Sequence, residues 1–94
     1  MRQVARTDAN QRDIMEALRK VGATVCDLHR VGGGVCDILA GFRGRNVLLE
    51  IKTAHGRLTE DEEEFLATWQ GEAHIVRSID EALHAIGRFE GGRG

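Results

Sequence analysis

The chain has 94 residues, 41% of them hydrophobic and 30% charged, with a formal net charge of −2. That size suits one domain spanning residues 1–94, with a single modest core that buries about 60–65% of the unfolded surface. No apolar run approaches the ~20 residues needed to cross a bilayer, and MRQVARTDANQR lacks the apolar heart of a signal peptide, so the expectation is a soluble, cytoplasmic protein.

Asp8-Ala9-Asn10-Gln11 has the form of a helix cap, with Gln at the third helical position. Ile14, Met15, Leu18 and Val21 recur at helical spacing, and Gly22 ends the run. Residues 23–28 are short and rich in β-type residues, predicting a strand. Gly32-Gly33-Gly34 breaks it in a flexible turn, too short to cradle a phosphate by itself.

Residues 35–42 and 47–53 read as two strands joined by Arg43-Gly44-Arg45-Asn46, a hairpin connection. Alternation sets Leu48, Glu50 and Lys52 on one face of the second strand and Val47, Leu49 and Ile51 on the other. The wholly apolar face must meet the core.

Thr59-Glu60-Asp61-Glu62 is a capping box with acids in the first turn, where the helix dipole favours them. Leu58, Glu62, Phe65, Leu66 and Trp69 form the expected inward stripe. Residues 73–77 predict a short strand. Ser78-Ile79-Asp80-Glu81 caps a last helix carrying Ala82, Leu83 and Ile86, and residues 90–94 have nothing to bury and are expected to fray. The order is α-β-β-β-α-β-α. A long connection through residues 59–70 makes the last two strands parallel, and the hairpin makes the rest antiparallel: an α/β fold with a mixed four-stranded sheet flanked by helices.

Cys26 and Cys36 are too few for a disulfide scaffold. With His29 they lack a paired zinc signature, and packing as small hydrophobes is the plainer reading. Eleven of the thirteen basic residues are arginine, the side chain suited to bidentate phosphate contacts.

Asp37, Glu50 and Lys52 are the residues that do not suit strands this apolar. An unpaired buried carboxylate is costly, and the hairpin should bring both acids together. Two carboxylates can share a hard divalent ion whose shell is completed by water and phosphate, and a neighbouring lysine can steady growing charge. A structural salt bridge through Lys52 uses the same residues, and from residue types alone the two readings stand level.

The order of Asp37, twelve intervening residues, Glu50, one residue and Lys52 resembles the PD-(D/E)xK nuclease superfamily. GGVCDILAGFRGRNVLLEIK, LTEDEEEFLATWQG and SIDEALHAI resemble, in order, the blocks of stand-alone phage- and bacterial-type VRR-NUC domains, over residues 8 to 86. The resemblance implies a restriction-endonuclease-like core that binds Mg²⁺ or Mn²⁺ and cuts DNA. It implies Asp37, Glu50 and the carbonyl of Ile51 as metal ligands and Lys52 as the catalytic lysine. It also implies a homodimer acting on branched DNA such as Holliday junctions.

Two positions depart from the family pattern. Cys36 replaces a proline that performs no chemistry. Gln11 stands where many members carry a glutamate near the metal; it shares a helix face with Ile14 and Leu18 and is assigned to the catalytic group, with capping as the alternative. Glu16 lies elsewhere on that wheel. Glu62 is a further possible contact with the site, beside its capping role. Arg30, Arg43, Arg45 and Arg57, in turns near the site, are candidates for DNA phosphate contacts. A nuclease-fold binding module without activity, or a subunit needing a partner chain, are the competing readings.

Overall fold

A computed structural model describes residues 2–87, with side chains from Asn10 onward. The expected fraying of residues 90–94 lies outside the described residues. The elements are α1 (Arg2–Lys20), β1 (Thr24–Asp27), β2 (Ile38–Phe42), β3 (Arg45–Ile51), α2 (Glu60–Thr68), β4 (Ala73–Val76) and α3 (Ile79–Ala85). The four strands form one sheet in the order β1-β2-β3-β4, antiparallel except for the parallel pair β3 and β4. The α/β class, the mixed sheet and the element order are those expected. No described helix is long and apolar enough to cross a membrane.

The core lies between one face of the sheet and the helices α1 and α3. Ile14 and Leu18 from α1, Ala82 and Ala85 from α3 and Ile86 at the C-cap of α3 meet Ile38, Ala40, Val47, Leu49 and Ile51 from the two central strands. Val47 and Leu49 are fully buried, as the apolar face of β3 required. Leu48 and Glu50 on its other face are buried too, because β3 is a central strand covered on both sides.

Three local boundaries and the burial of one helix differ from expectation. Residues 8–11 lie within α1, so the cap-like Asp8-Ala9-Asn10-Gln11 is a helix interior rather than a start. Strand β2 begins only at Ile38, since Val35 N–H closes a turn onto Gly32 O and residues 35–37 approach the sheet irregularly. The hairpin is tighter than four residues: Phe42 pairs with Arg45 across Arg43 and Gly44, whose φ values of 53° and 81° define a two-residue turn matched to strand twist. Finally, α2 buries none of its residues, and Trp69 at its C-cap is 45% exposed, stacked on Phe65 at 5.2 Å. Its intended stripe is only half covered.

Candidate functional site

The hairpin register brings Asp37 and Glu50 together. Ile38 pairs with Leu49, and the Asp37 N–H also donates to Leu49 O at 3.0 Å, so two successive residues oppose one. Such a bulge turns the strand end and re-aims its side chain. Asp37 Oδ2 accepts the Ile51 N–H at 2.7 Å. Leu48 and Lys52 direct their N–H groups to the β4 side, onto Glu72 O and Val76 O. Ile51 therefore turns its N–H and its carbonyl to the Asp37 side, since a strand residue presents both in one direction.

Glu50 follows the alternation onto the opposite face from the core, where it is 2% exposed. Its Oε2 lies 3.6 Å from Lys52 Nζ, while Oε1 is buried with no hydrogen-bond partner among the described residues. Burial first, then the charges of Asp37 and Glu62, push the Glu50 carboxyl up to about 8. Burial also raises Asp37, against the Ile51 N–H, a hydrogen bond with Glu50 and the charge of Lys52. These carboxyls adjoin, and one proton or one cation between them relieves their repulsion.

Lys52 is closest to Glu62, at 2.8 Å from its Oε1. Burial opposes the lysine's charge, but Glu62, Glu50 and Asp37 together hold its ammonium above the usual range. Glu62 plays both roles considered for it: its Oε1 also accepts the Thr59 N–H at 2.9 Å, completing the capping box of α2. Despite its own partial burial, Glu62 is held below the usual range by Lys52 and the Thr59 N–H.

Gln11 is brought to Asp27, whose Oδ1 lies 3.5 Å from its Nε2, and it makes no hydrogen bond to Asp37 or Glu50. Of the four arginines, Arg30 and Arg43 are exposed, the latter over the Phe42 ring at 4.9 Å. Arg57 is exposed in the connection that leads from Lys52 to α2. Arg45 is committed elsewhere: it pairs with Glu72 and donates to the Ala85 and Ile86 carbonyls at 3.2 Å each, tying the end of α3 to the sheet. Its guanidinium is thus engaged within the fold rather than presented, as those of Arg30, Arg43 and Arg57 are, to solvent.

Cys36 is fully buried, and burial with the charges of Glu50 and Asp37 pushes its thiol up to about 12, so it packs as a neutral small hydrophobe. Cys26 is exposed on β1. Sequence reasoning missed Arg77, whose Nη1 donates to the carbonyls of Thr53 at 2.7 Å and Gly56 at 2.8 Å and so ties down the loop after Lys52. It also missed Asp27, which holds His29. The Arg77 contacts depend on chain segments meeting in space; Asp27 and His29 are only two residues apart, but their place beside Gln11 is set by α1 meeting the end of β1.

Among the described residues no three His, Cys, Asp or Glu side chains gather into a ready-made metal cage. A hard divalent ion does not require one, since Mg²⁺ is commonly held by one or two carboxylates with water and phosphate filling its shell. The unpartnered Glu50 Oε1 beside Asp37 and the Ile51 carbonyl suits that donor set. Comparison with known protein families, with curated proteins and with solved structures finds no match to this chain.

Proposed function

We propose that this chain is a metal-dependent DNA endonuclease of the PD-(D/E)xK superfamily, of the VRR-NUC type with its restriction-endonuclease-like core, hydrolysing phosphodiester bonds in branched DNA such as Holliday junctions. The observation that carries the reading is Glu50: a carboxylate buried in a central strand, with one oxygen unpartnered, adjoining Asp37. A fold keeps so costly a group where something compensates it, and a divalent cation does so directly.

Asp37, Glu50 and the Ile51 carbonyl would hold the ion, Mg²⁺ or Mn²⁺. Bound there, it supplies a Lewis acid and an activated water. Lys52 stays protonated beside Glu62 and Glu50, so its part is to stabilise charge developing on the phosphate rather than to accept a proton. Glu62 fixes the ammonium in place, and the burial of Glu50 keeps water from screening these charges. Arg30, Arg43 and Arg57 would position the DNA backbone. A homodimer in the cytoplasm, presenting two symmetric sites to two strands, completes the proposal.

A second reading is a nuclease-fold DNA-binding module without activity. Two observations favour it: Gln11 engages Asp27 instead of the carboxylates, and the closest partner of Lys52 is Glu62, as in an ionic lock. Incubating the purified chain with labelled four-way junction, flap and linear duplex in Mg²⁺, Mn²⁺ or EDTA separates the two. Cleavage lost in EDTA and in Lys52→Ala supports the nuclease; junction binding without cleavage supports the module.

A further inference from the structure

At the sheet end that carries the two carboxylates, but on the α1 face, lies a second constellation. A cleft of about 260 Å³ is lined by Gln11, Arg12 and Met15 from α1 and by Asp27 and His29 at the end of β1. Asp27 Oδ1 accepts the His29 main-chain N–H at 2.9 Å and lies 2.8 Å from His29 Nδ1, with Gln11 Nε2 at 3.5 Å. An imidazole gripped at Nδ1 by a carboxylate has a fixed ring plane and a fixed direction for Nε2. That Nε2 makes no hydrogen bond among the described residues.

The charges around this dyad are unbalanced. Asp27 is held ionised, below the usual carboxylate range, first by the His29 N–H and ring and also by the nearby charge of Arg30. Arg12 lines the cleft, and neither Arg12 nor Arg30 forms an ion pair or hydrogen bond among the described residues. The cleft therefore holds one guanidinium, that of Arg12, and one carboxylate whose Oδ1 is already occupied by His29. What remains for a ligand is an arginine fork and a primary amide, with an aimed imidazole nitrogen that accepts while the ring is neutral and donates only when the ring carries both protons. Arginine and amide donors match the oxygens of a phosphate.

The cleft is also joined to the carboxylate centre. Asp27 pairs with Ile38, and the Leu28 N–H donates to Asp37 O at 2.8 Å, so the end of β1 that carries the cleft is hydrogen-bonded to the backbone of Asp37 itself.

We infer that the cleft is a phosphate-binding subsite, formed by Arg12, His29 and Gln11, that takes a neighbouring phosphate of the strand held for cleavage. The assignment of the phosphate to a nucleic-acid strand rests on the nuclease reading; the subsite itself does not. It gives Gln11 a part in aiming His29 and holding phosphate, in place of metal ligation. Asp27 is a positioning residue, acting through His29.

Two measurements on the full-length chain test it. In an NMR titration with inorganic phosphate, the His29 ring and Gln11 side-chain amide signals should shift saturably in the wild type and fail to do so in Arg12→Ala. In junction binding with Ca²⁺ replacing Mg²⁺, Arg12→Ala should lower the slope of log affinity against log salt by about 1. Arg12 is an exposed helical residue and alanine keeps the helix, so a wild-type unfolding temperature shows that the variant is folded. Unmoved His29 and Gln11 signals together with a wild-type salt slope would overturn the subsite, even in a chain that cuts DNA. Phosphate shifts that vanish in Arg12→Ala, in a chain that binds junctions without cutting them, would keep the subsite and remove the nuclease.

Discussion

Lys52 Nζ lies 2.8 Å from Glu62 Oε1, and the same oxygen takes the Thr59 N–H that starts α2. One carboxylate therefore both begins a helix and holds the cation of the candidate site. Glu62→Gln keeps a capping acceptor but removes the charge that holds Lys52 protonated. The alkaline limb of the cleavage pH profile should move to lower pH, with cleavage at high pH falling by about tenfold for each pH unit of that movement. Stability should fall by no more than about 1 kcal/mol, the ordinary cost of weakening a cap. An unmoved alkaline limb would show that Glu62 serves the helix alone.

Glu50 makes the stability of the metal-free chain depend on pH. Its carboxyl is raised from 4.5 to about 8 by burial and by the Asp37 and Glu62 charges. The folded chain then binds more protons than the unfolded chain between those values, so the contribution is full below pH 4.5 and is lost as pH rises through about 8. Thermal unfolding in EDTA should show a falling midpoint across that window, flattened in Glu50→Gln. Added Mg²⁺ should raise the midpoint more at the alkaline end, where it replaces the lost proton. A midpoint independent of pH across the window in the wild type would contradict this.

Arg77 gives a prediction for the loop after Lys52. Its guanidinium donates to Thr53 O and Gly56 O, and its main-chain N–H is taken by Glu81 at 2.8 Å. Arg77→Ala should cost about 1–3 kcal/mol by leaving the Gly56 carbonyl without its donor and the Thr53 carbonyl with only the Gly56 N–H. Cleavage should fall further than Mn²⁺ affinity, because the loop positions Lys52 and α2 rather than the metal ligands. Equal losses in both would place Arg77 in general stability only.

Gly34 shows how the glycine-rich turn meets α2. Its φ is +84°, and a methyl group there would collide with the Asp61 carbonyl in the first turn of α2, whereas Gly33, at φ +67°, has open space around it. Both alanine variants should pay about 1–2 kcal/mol for left-handed backbone. Gly34→Ala should lose more, and should weaken cleavage by moving Glu62 away from Lys52. Equal unfolding midpoints and equal cleavage for the two variants would refute the contact.

The element order and the pairing of Asp37 with Glu50 were legible because they follow from short-range rules: alternation along β3, a hairpin, a capping box and a crossover too long for antiparallel return. The start of α1 was not, since a cap-like tetrapeptide competes with a helix that simply continues. The exposure of Trp69 was hidden because a helical stripe shows which residues are apolar and not how closely the sheet receives them. Arg45 shows the limit for charges. In sequence it is one of several turn arginines; in space Glu72 and the end of α3 claim its donors, and no pattern within the hairpin announces that. The Asp27–His29 contact spans only two residues, yet its meaning depends on Gln11 and Arg12 arriving from α1.

The most direct measurement is an equilibrium Mn²⁺ titration of the wild-type chain and of Asp37→Asn, read by calorimetry at a pH above 8, where Glu50 is ionised. Wild type should bind the ion, and Asp37→Asn should bind it at least about tenfold more weakly, the scale expected when one of two carboxylate ligands loses its charge. Equal affinity in the two proteins, or no binding by either, would contradict a metal centre built on Asp37 and Glu50.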